Sequence, residues 1–124
     1  QFVHNIVSND YTFCMRGVGN YSIRFYETLC LGRIPIFINT DCKLPFEKQI
    51  NWKEICIWVE EDELSVIDEI ILDSHNDMTE SQFVENQVYC RELWLKYFSK
   101  EGFYNQFHFF LEQNFIPNEN GVAL

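Results

Sequence analysis

The sequence predicts an α/β fold: a partial Rossmann-like parallel sheet of about three strands with a helical C-terminal tail. Three observations predict it. Residues 11–15, 34–38 and 55–59 are β-favouring or apolar runs of strand length. A glycine-bearing turn and a single helix-like stretch separate the first two, as a crossover between parallel strands requires. Beyond Glu60 the apolar period changes to that of a helix and stays there. At 124 residues, 47% of them hydrophobic, the chain suits one domain over 1–124, with the helical tail covering 77–114. Its start, without Met and just ahead of the first strand, reads as that of a truncated piece of something longer.

Each element has a local signal. The first strand stops at Arg16-Gly17-Val18-Gly19-Asn20, and a helix over 21–31 is closed by Gly32, where a left-handed cap is needed. Strand 34–38 is apolar throughout, so it is expected to be buried on both faces, with Pro35 at its first residue or on an edge. Residues 39–51, broken by Pro45, read as loop. After the third strand, Leu64, Ile67, Ile70 and Ile71 share one helix face, and Glu60-Glu61-Asp62-Glu63 sits at the positive end of that helix. Asp77 with Glu80 resembles a capping box opening a long helix, in which Val84, Val88, Leu95 and Phe98 recur at helical spacing. A last helix near 101–114 carries Phe103, Phe107, Phe110 and Leu111 on one side. That stripe reads as core rather than as a lipid anchor; left uncovered, it would pair with a second copy as a homo-oligomer contact.

Charge and cysteine content narrow the function classes. Nineteen acidic residues against nine basic give a net charge of −10, which opposes the phosphate term of nucleic-acid binding. No run approaches the roughly 20 apolar residues of a membrane span. The charge is also uneven: up to Lys53 there are six basic and four acidic residues, and beyond it three and fifteen. An acidic chain that keeps its arginines near a glycine loop suits a small anion, chance scatter being the alternative. Five widely spaced cysteines without a C-x-x-C pair argue against zinc ribbons and thioredoxin-like redox motifs. They read as plain buried thiols of a cytoplasmic protein, with a Golgi or secretory lumen as the alternative.

The chemistry sits in residues 11–38. Gly17 and Gly19 let the main chain turn and a ligand approach closely, while the following helix aims unpaired N–H groups into the turn. The full G-x-G-x-x-G fingerprint and the G-K-[ST] ending are both absent, so the loop taken alone also reads as a tight structural turn. Around it stand Arg16, Ser22, Arg24 and Glu27. Arg24 and Glu27 share a helix face at i,i+3; there a guanidinium grips a diphosphate and a carboxylate accepts from ribose hydroxyls. An ordinary surface ion pair is the bland reading of the same spacing.

Taken together, Phe13-Cys14-Met15-Arg16-Gly17, Ser22-Ile23-Arg24-Phe25-Tyr26-Glu27-Thr28-Leu29 and Gly32-Arg33-Ile34-Pro35-Ile36-Phe37-Ile38 closely resemble the exostosin family of glycosyltransferases. The family pattern runs F-C-L-x-x-R-G, S-x-R-x-x-E-A-L and G-x-x-P-V-I-I. The likeness continues through Leu44-Pro45-Phe46 and Ile50-Asn51-Trp52. It implies the C-terminal, donor-binding half of a GT-B enzyme that moves a sugar from a nucleotide donor, generally UDP-linked, to a glycan hydroxyl. By position it implies Arg16, Gly17, Gly19, Ser22 and Arg24 at the diphosphate and Glu27 at the ribose. Thr28 and Phe37 depart from the pattern as packing changes. The sequence holds no D-x-D, so arginine-borne charge relief without a metal is expected, with no cofactor beyond the UDP-sugar and the base supplied from outside this chain. A non-catalytic α/β interaction module is the alternative. His4, His75 and His108 are scattered and read as packing or solvent residues, and the sequon Asn20-Tyr21-Ser22 reads as a chance match.

Overall fold

The computed structural model describes residues 1–115. In chain order these form α1 (Phe2–Val7), β1 (Tyr11–Cys14), α2 (Ile23–Cys30), β2 (Ile34–Asn39), α3 (Trp52–Ile55) and β3 (Ile57–Glu60). A 3₁₀ stretch (Glu61–Val66), α4 (Ile67–Asn76), α5 (Glu80–Leu93), a π-helical turn (Trp94–Phe98) and α6 (Lys100–Phe115) follow. The three strands pair in parallel in the order β1-β2-β3, with Tyr11 opposite Ile34 and Ile36 opposite Ile57. The α/β class and the parallel sheet expected from the sequence are therefore present. Among the described residues, no helix is long and apolar enough to cross a membrane.

The sheet is covered on both faces, which is why β2 is apolar along its length. On one face α2, α5 and the π-helical turn enclose Phe25, Leu29, Phe37, Trp52, Cys90, Leu93 and Tyr97. On the other, Ile67, Ile70 and Ile71 of α4 pack on Ile36, Ile38, Ile57 and Val59. Phe25 centres the larger cluster: fully buried, it meets the rings of Phe37, Trp52 and Tyr26 at 5.4, 5.2 and 5.4 Å in edge-on geometry. Truncating such a ring costs about 3–5 kcal/mol, more than any single cap in this fold. Thr28, one of the departures from the family pattern, is fully buried and donates its hydroxyl to Arg24 O at 2.7 Å. Gly32 closes α2 at φ +63°, as the cap signal required. Arg91 of α5 then donates to the α2 carbonyl of Cys30, tying the two helices together.

Several expectations are corrected. Helix α2 begins at Ile23 rather than Tyr21, because Ser22 is extended at the N-cap and the Tyr21 N–H is spent on Gly19 O at 2.9 Å. Pro35 is the second residue of the central strand, neither its first nor on an edge; pairing with β3 starts only at Ile36, so no ladder bond is missing on that side. The third strand starts at Ile57, since Ile55 closes α3. The capping box of α5 is formed by Thr79 and Gln82, whose side chains accept each other's N–H at 3.2 and 2.9 Å, while Asp77 ends α4. The buried side of α5 runs through Phe83, Cys90 and Leu93, leaving Val84 and Val88 half exposed at 51% and 53%. Two apolar series interleave on this helix, and the sheet takes the other one. The α6 stripe is not core: Phe103, Phe107 and Phe110 are about half exposed, because α6 leaves the layer at Ser99 and packs mainly on the π-helical turn. Helices α1 and α3 are too short to show a period and were not expected.

Gly102 makes that departure possible. A Cβ here would lie 2.2 Å from Leu95 O and 2.6 Å from Lys96 O, both backbone atoms that cannot swing aside. Gly32 needs only its left-handed φ, a cost of about 1–2 kcal/mol for any other residue. We therefore expect Gly102→Ala to lower the urea midpoint of the chain further than Gly32→Ala. Equal midpoints would place the α6 junction outside the cooperative core.

Candidate functional site: the glycine loop and the first turn of α2

The loop from Arg16 to Ser22 leaves the C-terminal end of β1, the edge of a parallel sheet where ligands gather. It is internally braced: the Gly17 N–H donates to Tyr21 O at 3.0 Å, and the Tyr21 N–H returns to Gly19 O. Gly17 and Gly19 do not supply a left-handed turn, since Gly32 is the glycine with positive φ among the described residues. A Cβ on Gly19 would meet the Tyr21 ring at 2.6 Å, a contact that the exposed tyrosine side chain can relieve by turning aside. Asn20 latches the loop to the next one: its Nδ2 donates to Thr40 O at 3.1 Å and Asp41 O at 3.2 Å, and Thr40 Oγ1 donates to Asn20 Oδ1 at 2.8 Å. The Asn20 amide is thus committed to protein contacts. Asp41 takes φ +60° to complete this junction.

Ser22 is the N-cap of α2, with Arg24 in its first turn and Glu27 one turn further on. Ser22 is buried at the N-cap, yet its side chain makes no cap hydrogen bond, which leaves the first-turn N–H groups without a side-chain acceptor. Arg24 and Glu27 are half-buried, and Arg16 and Gly17 are exposed beyond β1. Among the described residues, the ion pairs are Lys53–Glu60 and His108–Glu112, and neither includes Arg16, Arg24 or Glu27. The Arg24 guanidinium lies 4.4 Å above the Phe2 ring instead. Arg24 and Glu27 therefore stand on α2 without an ion pair between them, while Arg16 is exposed in the loop beyond β1. The arrangement can hold an anion at the arginines and a diol at the carboxylate.

Sequence reasoning passed over a second feature on the same edge of the sheet. A cleft of about 560 Å³ opens beyond the ends of β2 and β3, lined by Asn39, Asp41, Lys43, Asn51, Lys53 and Trp58, among others. Glu60 props its wall: Oε2 accepts from Asn39 Nδ2 at 2.7 Å, and Oε1 from Trp58 Nε1 at 2.8 Å, with Lys53 Nζ 3.6 Å away. Its sequence signals are Asp41, which follows the C-terminal end of a strand where ligands of such sheets gather, and the alternation Trp58-Val59-Glu60, which puts both polar groups on one strand face. The Leu44-Pro45-Phe46 segment is packed into the core, whereas Ile50-Asn51-Trp52 also lines this cleft. Leu44, Ile50 and Trp52 are buried, Trp52 Nε1 donates to Pro45 O at 2.8 Å, and the Phe46 ring sits 4.8 Å from that of Tyr97. Burial raises the thiols of Cys14 and Cys90 to about 12 and that of Cys56 well above its ordinary value, so none of the three is a nucleophile. His75 Nδ1 and Tyr11 Oη share a hydrogen bond of 2.7 Å at the opposite end of β1.

The family model of the exostosin GT47 domain matches residues 2–73, which span α1 through most of α4 and contain the whole of this site. The chain belongs to the exostosin GT47 family. Among its exostosin relatives, "Exostosin-1" of Drosophila melanogaster is 35% identical over 89 residues, covering 70% of this chain and 11% of that protein. "Probable glucuronosyltransferase 47 A" of Physcomitrium patens is 33% identical over 73 residues, covering 58% and 16%. A "Probable beta-1,4-xylosyltransferase" of Arabidopsis thaliana is 33% identical over 61 residues, covering 49% and 15%. The chain thus spans 11–16% of the length of these exostosin-family relatives.

Glu60 gives this region a pH dependence. Hydrogen bonds from Asn39 and Trp58 hold its carboxyl below the ordinary carboxylate value. A depressed folded-state pKa contributes stability that is present above the unfolded value and is lost as pH falls through the folded one. Because the side chain is 38% exposed, solvent screens much of the effect. On acidification below about pH 4.5, wild type should lose stability more steeply than Glu60→Gln, as read by urea midpoints across pH; parallel profiles would dismiss Glu60 as a strut.

Proposed function

We propose that this chain is the donor-binding part of a glycosyltransferase that moves a sugar from a UDP-sugar to a glycan hydroxyl. The observation that carries the proposal is the polar set of α2. Arg24 and Glu27 stand one turn apart without pairing, beside a Ser22 whose side chain does not cap its own helix. Arg16, Arg24, the Ser22 hydroxyl and the first N–H groups of α2 hold the diphosphate, and Glu27 accepts from the ribose hydroxyls. Gly17 and Gly19 themselves carry no side chain, so the phosphates approach the main chain at those two positions.

In the transfer step the anomeric bond to the diphosphate breaks and negative charge grows on the departing oxygens. In this reading the Arg16 and Arg24 guanidinium groups and the N-terminus of α2 stabilise that charge. The base for the acceptor hydroxyl comes from outside this chain. The names of the relatives, glucuronosyltransferases and a xylosyltransferase, make a glucuronosyl or xylosyl donor the first to test. The cleft beyond β2 and β3 gives ligand-sized space on the same edge of the sheet.

Calorimetric titration of UDP and of uridine tests the reading, on this chain and on a longer piece extended N-terminally. Arg24→Ala should weaken UDP about tenfold or more and leave uridine unchanged, since charged hydrogen bonds contribute roughly 1.5–3 kcal/mol. Glu27→Ala should weaken both ligands. If both variants bind UDP as tightly as wild type, these residues are not at the donor site.

A further inference from the structure

We infer that Phe2 is a positioning residue for Arg24, holding the guanidinium by its face so that it stays off Glu27 and keeps its N–H edge open to a diphosphate. The inference rests on the reading of Arg24 given above. The guanidinium carbon lies 4.4 Å from the Phe2 ring centroid, well inside the range of about 6 Å over which a cation and a ring attract. Glu27 is three residues on, on the same helix face, where a guanidinium and a carboxylate ordinarily meet. Arg24 takes the ring instead of the carboxylate.

That choice has chemical consequences. A carboxylate partner would neutralise the charge and occupy the in-plane N–H groups that a phosphate needs. An aromatic ring uses only the face of the cation, so the donors at the edge remain free. It also restricts a side chain whose rotamer freedom would otherwise be lost on binding. Glu27 gains as well, since its oxygens are left open to hydroxyl donors.

The ring is delivered by an anchored element. Ile6 of α1 is fully buried, and Arg33 Nη2, at the far end of α2, donates to Val7 O at 3.0 Å. Phe2 itself is 40% exposed, so it contributes little to the core and its placement over Arg24 is not a by-product of core packing.

The test uses the full-length protein that carries this chain, with UDP and uridine as probes and four variants: Phe2→Leu, Phe2→Trp, Arg24→Ala and the double variant Phe2→Leu/Arg24→Ala. Leucine keeps an apolar side chain but has no π face. Phe2→Leu should weaken UDP about three- to fivefold with uridine unchanged, and Phe2→Trp should restore or exceed wild-type affinity. The leucine effect should vanish in the Arg24→Ala background. If Phe2→Leu binds UDP as wild type does while Arg24→Ala still weakens it, this inference falls and the donor reading stands. If Arg24→Ala is also silent, the donor reading falls with it. A Phe2→Leu loss that affects uridine equally and persists in the Arg24→Ala background would show a merely structural role and overturn the inference.

Discussion

The whole arrangement depends on the packing of Phe25 against Phe37 and Trp52. These three rings come from α2, from the central strand and from α3, so one cluster fixes the helix to the sheet and to the segment leading into β3. The first turn of α2 carries Arg24 next to Phe25, and Glu27 one turn later. The buried ring therefore decides which way the charged side chains of this helix can project. A polar site on an eight-residue helix needs such an anchor, because a helix that short is marginal in water by itself.

How much of this was legible depended on whether one physical signal dominated locally. The strands and α2 were readable because nothing competed with their signals: β2 is apolar from Ile34 to Ile38, and Gly32 can only be a left-handed cap. The long C-terminal helix was legible as a helix but not in its orientation. Phe83, Cys90 and Leu93 form one apolar series and Val84 and Val88 another, and only the tertiary partners α2 and β2 choose between them. Its start was misplaced for a related reason: Asp77–Glu80 and Thr79–Gln82 satisfy the same three-residue rule two positions apart, and the turn that ends α4 takes the first pair out of play. For the α6 aromatics, composition argued burial, but the backbone leaves the layer at Ser99.

The site divides along similar lines. Arg16, Gly17, Gly19, Ser22, Arg24 and Glu27 were all nominated from residue type and spacing, and of these Ser22 is the N-cap of α2 while Arg24 and Glu27 lie on it. What spacing did not reveal is that Arg24 and Glu27 stay apart, since that depends on Phe2, 22 positions earlier in the chain. The family-like segments also separate by role. Leu44, Phe46, Ile50 and Trp52 are spent on burial, on a ring contact and on the hydrogen bond from Trp52 to Pro45, whereas Asn51 lines the cleft and Arg24 and Glu27 form no ion pair. Sequence likeness alone gives both kinds equal weight; only the hydrogen-bond and burial record tells them apart.

The Asn20 latch has one more consequence. Its amide joins the loop after β1 to the loop after β2 through three hydrogen bonds, one of them returned by Thr40. Neither loop can shift without carrying the other, so the glycine loop after β1 and the rim of the Asp41–Trp58 cleft are mechanically a single part. Two loops tied in this way keep a fixed separation from one another.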